Sequence, residues 1–170
     1  MKLLKKEFKS LEKMEIFKPG QATTTFDNEK SVFLAGSIEM GSAEDWQSIV
    51  PKHFEDKENL VFFNPRRDDW DSSWEQRESN PQFNHQVNWE LDKLNEADII
   101  FMYFHPETKS PISLLELGLF ANSEKMIVCC PDGFWRKGNV DIVCSRFNIP
   151  VYNTLEAAIG KLRTLLKDVK

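Results

Sequence analysis

The chain predicts an α/β domain built on a five-stranded, parallel, doubly wound sheet with helices on both faces. Three observations carry that expectation. Short, almost wholly apolar runs recur from residue 31 onward, at 32–36, 60–63, 98–104, 126–130 and 151–152. Segments with helical spacing of their apolar side chains lie between several of them. The composition is that of one ordinary folded domain: 170 residues, 41% hydrophobic and 29% charged. A chain of that size buries enough apolar surface to fold without disulfide or metal staples.

Each element has its own signal. Residues 1–30 read as a basic N-terminal extension, with Lys2, Lys5, Lys6, Lys9, Lys13 and Lys18 ahead of the break at Pro19-Gly20. Within it Leu3, Leu4, Phe8, Leu11 and Met14 give part of a helical stripe, the pattern of a short docking helix packed on its own domain. The domain proper is expected over 31–170. Val32-Phe33-Leu34-Ala35-Gly36 is a buried strand ending in glycine. Residues 43–54 form a helix with Ser42 as its cap and Trp46, Ile49 and Val50 as its apolar side. The strand at 60–63 stops at Asn64-Pro65, and a polar, tryptophan-bearing stretch follows to Asn80. The strongest helix runs from Pro81 to Ala97, the third strand over 98–104. Ser110-Pro111 opens a further helix to about Ser123, serine as cap and proline at the first helical position. Strands at 126–130 and 151–152 follow, and a final amphipathic helix carries Leu155, Ala158, Ile159, Leu162 and Leu165. In such a sheet, ligands sit beyond the carboxyl ends of the strands, where strand order reverses. That rule selects the loops after Gly36, Asn64, Phe104 and Cys130.

Charge and composition exclude several functions. Lys plus Arg total 22 against 27 Asp plus Glu, a net charge of −5, so the main partner is not a polymeric nucleic acid. No apolar run is long enough to cross a bilayer. Three cysteines make no disulfide framework, and the adjacent Cys129 and Cys130 read as reduced packing residues. His53, His85 and His105 lack ligand spacing, so no metal and no other cofactor is expected. Glu7 and Lys9 interrupt the first apolar stretch before a secretory core forms, which places the protein in the cytoplasm.

Two glutamates stand in apolar company. Glu116 is surrounded in sequence by Ile112, Leu114, Leu115, Leu117, Leu119 and Phe120, and no rotation of that helix gives it a wholly polar face. Burying an unpaired carboxylate costs several kcal/mol or forces its protonation, so the residue has either a partner or a task. Glu90 lies beside the stripe of Phe83, Val87, Leu91 and Leu94, at an edge from which it reaches solvent.

At Val32-Phe33-Leu34-Ala35-Gly36-Ser37, at Glu90 followed eight residues later by Asp98 in Ala97-Asp98-Ile99, and at Glu116-Leu117-Gly118, the chain resembles the nucleoside 2-deoxyribosyltransferase superfamily. The likeness extends to its 2′-deoxynucleoside 5′-phosphate N-hydrolases and spans about residues 31–155. It implies a flavodoxin-like sheet and cleavage of the N-glycosidic bond of a 2′-deoxynucleoside or its 5′-monophosphate. Glu116 then takes the nucleophile's position, attacking C1′ to form a glycosyl-enzyme intermediate. Glu90 takes the place of a second acid that binds sugar or protonates the departing base, where aspartate is usual. Transfer to a base gives a transferase, capture by water a hydrolase. The resemblance also implies a homodimer or larger homo-oligomer.

Around the two acids, Gly36 lets backbone come close to a ligand and Ser37 offers a hydroxyl. Ser110 and Ser113 add hydroxyls at the start of the Glu116 helix, where an anion is favoured. Arg66 supplies charge after the second strand, offsetting Glu39, which repels a phosphate. Asp69 and Trp70 provide a base-edge hydrogen bond and a stacking ring within a lid over 66–74. The competing reading is a non-catalytic nucleotide-binding sensor using the same pocket. Cleavage of NAD is disfavoured, because no G-x-G-x-x-G follows the first strand.

Overall fold

The computed structural model describes residues 13–21, 29–38, 44–67 and 73–169. Its strands are β1 Glu15–Phe17, β2 Lys30–Gly36, β3 Leu60–Phe63, β4 Ile99–Tyr103, β5 Met126–Cys129 and β6 Val151–Tyr152. Its helices are α1 Trp46–Lys52, α2 Pro81–Glu96, α3 Pro111–Phe120, α4 Lys137–Arg146 and α5 Leu155–Leu165. The strands form one parallel sheet in the order β1-β3-β2-β4-β5-β6.

Six strands replace the expected five. The sixth is β1, which comes from the segment read as a basic extension and pairs Phe17 with Phe63. Asn64 N–H donates to Phe17 O at 2.9 Å, and the Phe17 ring enters the core at 8% exposure. Three residues, the first of them charged, are too short to show a period of two, which is why the sequence hides this strand. The docking helix expected over residues 3–14 lies almost wholly outside the described residues.

Parallel strands are covered on both faces, so their side chains are apolar throughout. Phe33 and Ala35 of β2 join Phe63, Ile100, Met102 and Val128 under α2, α3 and α4. Val32 and Leu34 point the other way, to Phe62, Phe101 and Ile127 under α1 and α5. From β2 the chain first steps to β3 on one side and later to β4 on the other. The order therefore reverses at β2, and the crevice lies above Gly36 and Tyr103.

Three helix expectations change. The first helix starts at Trp46 rather than residue 43, because Asp45 caps it: its Oδ1 accepts from Ser48 N at 3.3 Å and its Oδ2 from Ser48 Oγ at 2.6 Å. Ser42 lies outside the described residues. The α3 helix closes at Phe120 into a short 3-10 turn, Ala121–Ser123. The α4 helix was not anticipated, since its buried positions are only Val140 and Cys144 and no side chain caps it. At the amino edge of the sheet Asp98 joins β4 to β2, accepting from Ser31 N at 2.8 Å, Ser31 Oγ at 3.0 Å and Lys30 Nζ at 3.2 Å. The Ala97-Asp98 pair thus serves the sheet at the edge opposite the crevice. Cys129, Cys130 and Cys144 are free thiols, all buried. Among the described residues, no helix is long and apolar enough to cross a membrane.

Candidate active site

The floor of the crevice is backbone. Gly36 sits at φ +130, and a Cβ there would come within 2.1 Å of Tyr103 O, so only glycine lets β2 end so close to β4. Ser37 follows, with its N–H donating to Tyr103 O at 2.9 Å and its carbonyl accepting from Trp46 Nε1 at 2.9 Å. Its hydroxyl faces inward. Ser37 Oγ lies 2.8 Å from Thr108 Oγ1 and 2.6 Å from Ser110 Oγ, and it accepts from His105 N at 2.9 Å. Thr108 Oγ1 is 2.7 Å from Ser110 Oγ and donates to His105 O at 2.9 Å. All three hydroxyls belong to buried residues.

This cluster changes two expectations. Ser37 fastens the β2 loop to the β4–α3 loop, with its hydroxyl already occupied by protein. Ser110 stands at the cap position, but in the left-handed region (φ 45) and without a side-chain bond to the helix. Its hydroxyl goes to Ser37 and Thr108 instead. Proline follows at the first helical position as expected. Thr108 was missed, because a single threonine in a loop carries no periodic signal.

The α3 helix then turns Ser113, Glu116, Leu117 and Phe120 inward and leaves Ile112, Leu115 and Leu119 outside. Glu116 is only 8% exposed. Among the described residues no cation and no hydrogen-bond donor pairs with it. Burial, reinforced by the negative charge of Glu90, pushes its carboxyl up to about 8.

Glu90 arrives from α2, whose cap is Asn80, accepting from Phe83 N at 3.0 Å. It is half-buried rather than at a solvent edge, and burial pushes its carboxyl up to about 7. One turn earlier Gln86 holds it: Gln86 Nε2 donates to Glu90 Oε1 at 2.6 Å and to Pro65 O at 3.1 Å. That bond favours the ionised form and is outweighed by desolvation. Nothing in the sequence singles out Gln86 beyond its spacing of four from Glu90, the spacing of helical neighbours. Trp89 packs in the core against Phe33 and Phe63, as expected.

Arg66 lies at the same edge. Its Nε is 3.7 Å from Asp45 Oδ1, and its Nη1 is buried with no hydrogen-bond partner. Arg67 stacks over the Trp74 ring at 5.2 Å. Asp69 and Trp70 lie outside the described residues, as does Glu39. Two cavities formed by described residues lie away from the carboxylates. One of about 320 Å³ lies between α3 and α4, by Leu114, Gly118 and Val143. The other, about 440 Å³, opens at the amino edge beside Lys30, Asp98 and Lys161.

Fold and site together define a doubly wound α/β domain with two desolvated carboxyls above its strand-order reversal. A family model described as nucleoside 2-deoxyribosyltransferase like matches residues 29–134. The chain belongs to the nucleoside 2-deoxyribosyltransferase-like family. Among solved structures it is similar to a conserved protein from Enterococcus faecalis V583, with a TM-score of 0.58 at 9% identity. That likeness covers 81% of this chain and 99% of the other, and at such identity it speaks for the fold alone. No curated protein sequence matches the chain.

Proposed function

We propose that the protein cleaves the N-glycosidic bond of 2′-deoxynucleosides or their 5′-monophosphates, passing the deoxyribosyl group to a second base or to water. The observation that carries this reading is the carboxyl pair. The buried Glu116 and the half-buried Glu90 are close enough for the charge of Glu90 to raise Glu116, with no cation paired to either among the described residues, an arrangement that costs stability and fits a chemical task.

The chemistry follows from one shared proton. With carboxyls raised to about 7 and about 8, the pair holds close to one proton midway between those values. That proton rests mainly on Glu116, raised higher than Glu90; in the productive minority it has moved to Glu90 Oε2, the oxygen that Gln86 leaves free, and Glu116 is ionised. Glu116 attacks C1′, the C1′–N bond breaks toward the base, and the Glu90 proton goes to the departing nitrogen. Positive charge developing on the sugar relieves the cost of the buried anion, so stabilisation grows toward the transition state. Water or another base then attacks C1′ from the vacated side, gives up its proton to Glu90 and releases Glu116. Ser113, one turn ahead of Glu116, and Arg66, with its free Nη1, are substrate contacts in this reading, with Asp69 and Trp70 on the base side.

The same reading takes the protein to be a homodimer. Ile112, Leu115 and Leu119 are each about 60% exposed on the outer face of α3. Among the described residues, nothing stands within 4 Å of the place a Cβ would take at Gly118, an exposed mid-helix glycine. A second copy packed along α3 gives both features a purpose.

The test is incubation with the common deoxynucleosides and deoxynucleoside monophosphates, with and without an acceptor base, followed by chromatography for free and exchanged base. Base release that Glu116→Ala abolishes supports the proposal. Tight binding without release from any substrate favours the non-catalytic nucleotide-binding reading.

A further inference from the structure

Gln86 is 4% exposed, and its amide orientation is fixed by its partners. Both neighbours of its nitrogen, Pro65 O and Glu90 Oε1, are acceptors, so the NH2 group must face them. Gln86 Oε1 is then turned the other way, buried and with no hydrogen-bond partner. A buried amide oxygen left unpaired costs about 1–3 kcal/mol, and native structures hold few such atoms. Across Pro65, Arg66 Nη1 is a buried donor in the same condition. The segment linking Glu90 to the end of β3 therefore presents one unmet acceptor and one unmet donor at the carboxyl edge of the sheet.

We propose that Gln86 selects the substrate: its Nε2 holds the Glu90 carboxyl in place while its Oε1 accepts an N–H from the edge of the nucleobase. A nucleobase edge N–H satisfies the orphaned oxygen. A base whose N–H is methylated leaves Gln86 Oε1 unpaired and is rejected. Gln86 touches the substrate through one atom and positions Glu90 through another, so removing it disturbs recognition and the acid together. The recognition half rests on the glycosidase reading; the positioning half does not.

Gln86→Met keeps length and volume and removes both hydrogen bonds. In a 13C NMR titration of the Glu carboxyls, which needs no turnover, the Glu90 midpoint is expected to rise in the variant, because the bond that favours its anion is gone. An unchanged midpoint overturns the positioning role even if no substrate is ever cleaved. With a cleaved deoxynucleoside, the variant is expected to lose about 10- to 100-fold in kcat/KM. With the analogue methylated at the edge nitrogen, the gap between wild type and variant is expected to shrink to the part that comes from Glu90 positioning. If the variant loses as much against the methylated analogue, or if a 3′-deoxy analogue removes the difference instead, the base contact is wrong. A wild type inert toward every substrate refutes the glycosidase reading, and the NMR result then stands on its own.

Discussion

Replacing Glu116 with glutamine removes a charge from a place that does not tolerate one, and the consequence for stability has a definite pH dependence. The carboxyl is raised from its ordinary 4.5 to about 8 in the folded protein. At pH values between those two, the unfolded chain has released the proton and the folded chain still holds it. Stability from this group is therefore complete below about 4.5 and is lost as pH rises through about 8. At about 1.4 kcal/mol per tenfold change in proton affinity, the full loss is about 5 kcal/mol. Part of that sum is repulsion from Glu90, so the two carboxyls do not add. Glutamine keeps the shape and titrates nowhere, although its own amide is left short of partners. Glu116→Gln is accordingly expected to match wild type within about 1 kcal/mol at pH 5 and to exceed it by about 2–3 kcal/mol at pH 9. For a chain of this size, that is about 5–10 °C in Tm. Paired thermal melts across pH 5–9 measure it. A difference that is flat with pH, or that favours wild type at pH 9, refutes the claim that Glu116 is an unpaired buried carboxyl.

Other perturbations have equally definite outcomes. Because the pair must hold one proton to work, kcat/KM is expected to rise with pH until the first carboxyl ionises and to fall once the second does, with its maximum between about 7 and about 8. In Glu90→Gln the alkaline limb disappears and the acid limb moves to lower pH, since the neighbouring charge that raises Glu116 is gone; a stopped pH series on both proteins checks this. Gly36→Ala drives a Cβ into Tyr103 O at 2.1 Å, and chemical denaturation is expected to show a loss of about 3 kcal/mol or more. Leu115→Glu places a charge on the outer α3 face and is expected to convert a dimer into a monomer in analytical ultracentrifugation, with the circular dichroism spectrum unchanged.

How much of this was readable in advance depends on how long each signal runs. The strands at 32–36, 60–63, 98–104 and 126–130 are legible because a parallel sheet buries both faces and leaves continuous apolar runs. β1 is illegible because Ile16-Phe17 is short and its stability comes from Phe63 and Asn64, more than forty residues away. α4 is equally faint, with two buried positions and no capping side chain. At the site, Glu116 announces itself as an acid amid Ile112, Leu114, Leu115, Leu117 and Leu119, a pattern that cannot be amphipathic. Glu90 is read only halfway. Its place beside a stripe is visible in the sequence; its hold by a Gln86 that is also tied to Pro65 O, and its coupling to Glu116, are tertiary facts. Ser37 and Ser110 are found by position, yet their hydroxyls answer to Thr108 and His105 rather than to the crevice. Such a preference for internal partners is set by loop geometry, to which spacing is blind.

The central claim is that Glu116 is the atom carrier that takes deoxyribose from the base. Rapid acid quench of protein turning over a deoxynucleoside or its monophosphate, followed by peptide mass mapping, tests it most directly. The account predicts a transient deoxyribosyl increment on the peptide containing Glu116, absent from Glu116→Gln. Base release at the wild-type rate by Glu116→Gln, or an increment on any other side chain, contradicts it.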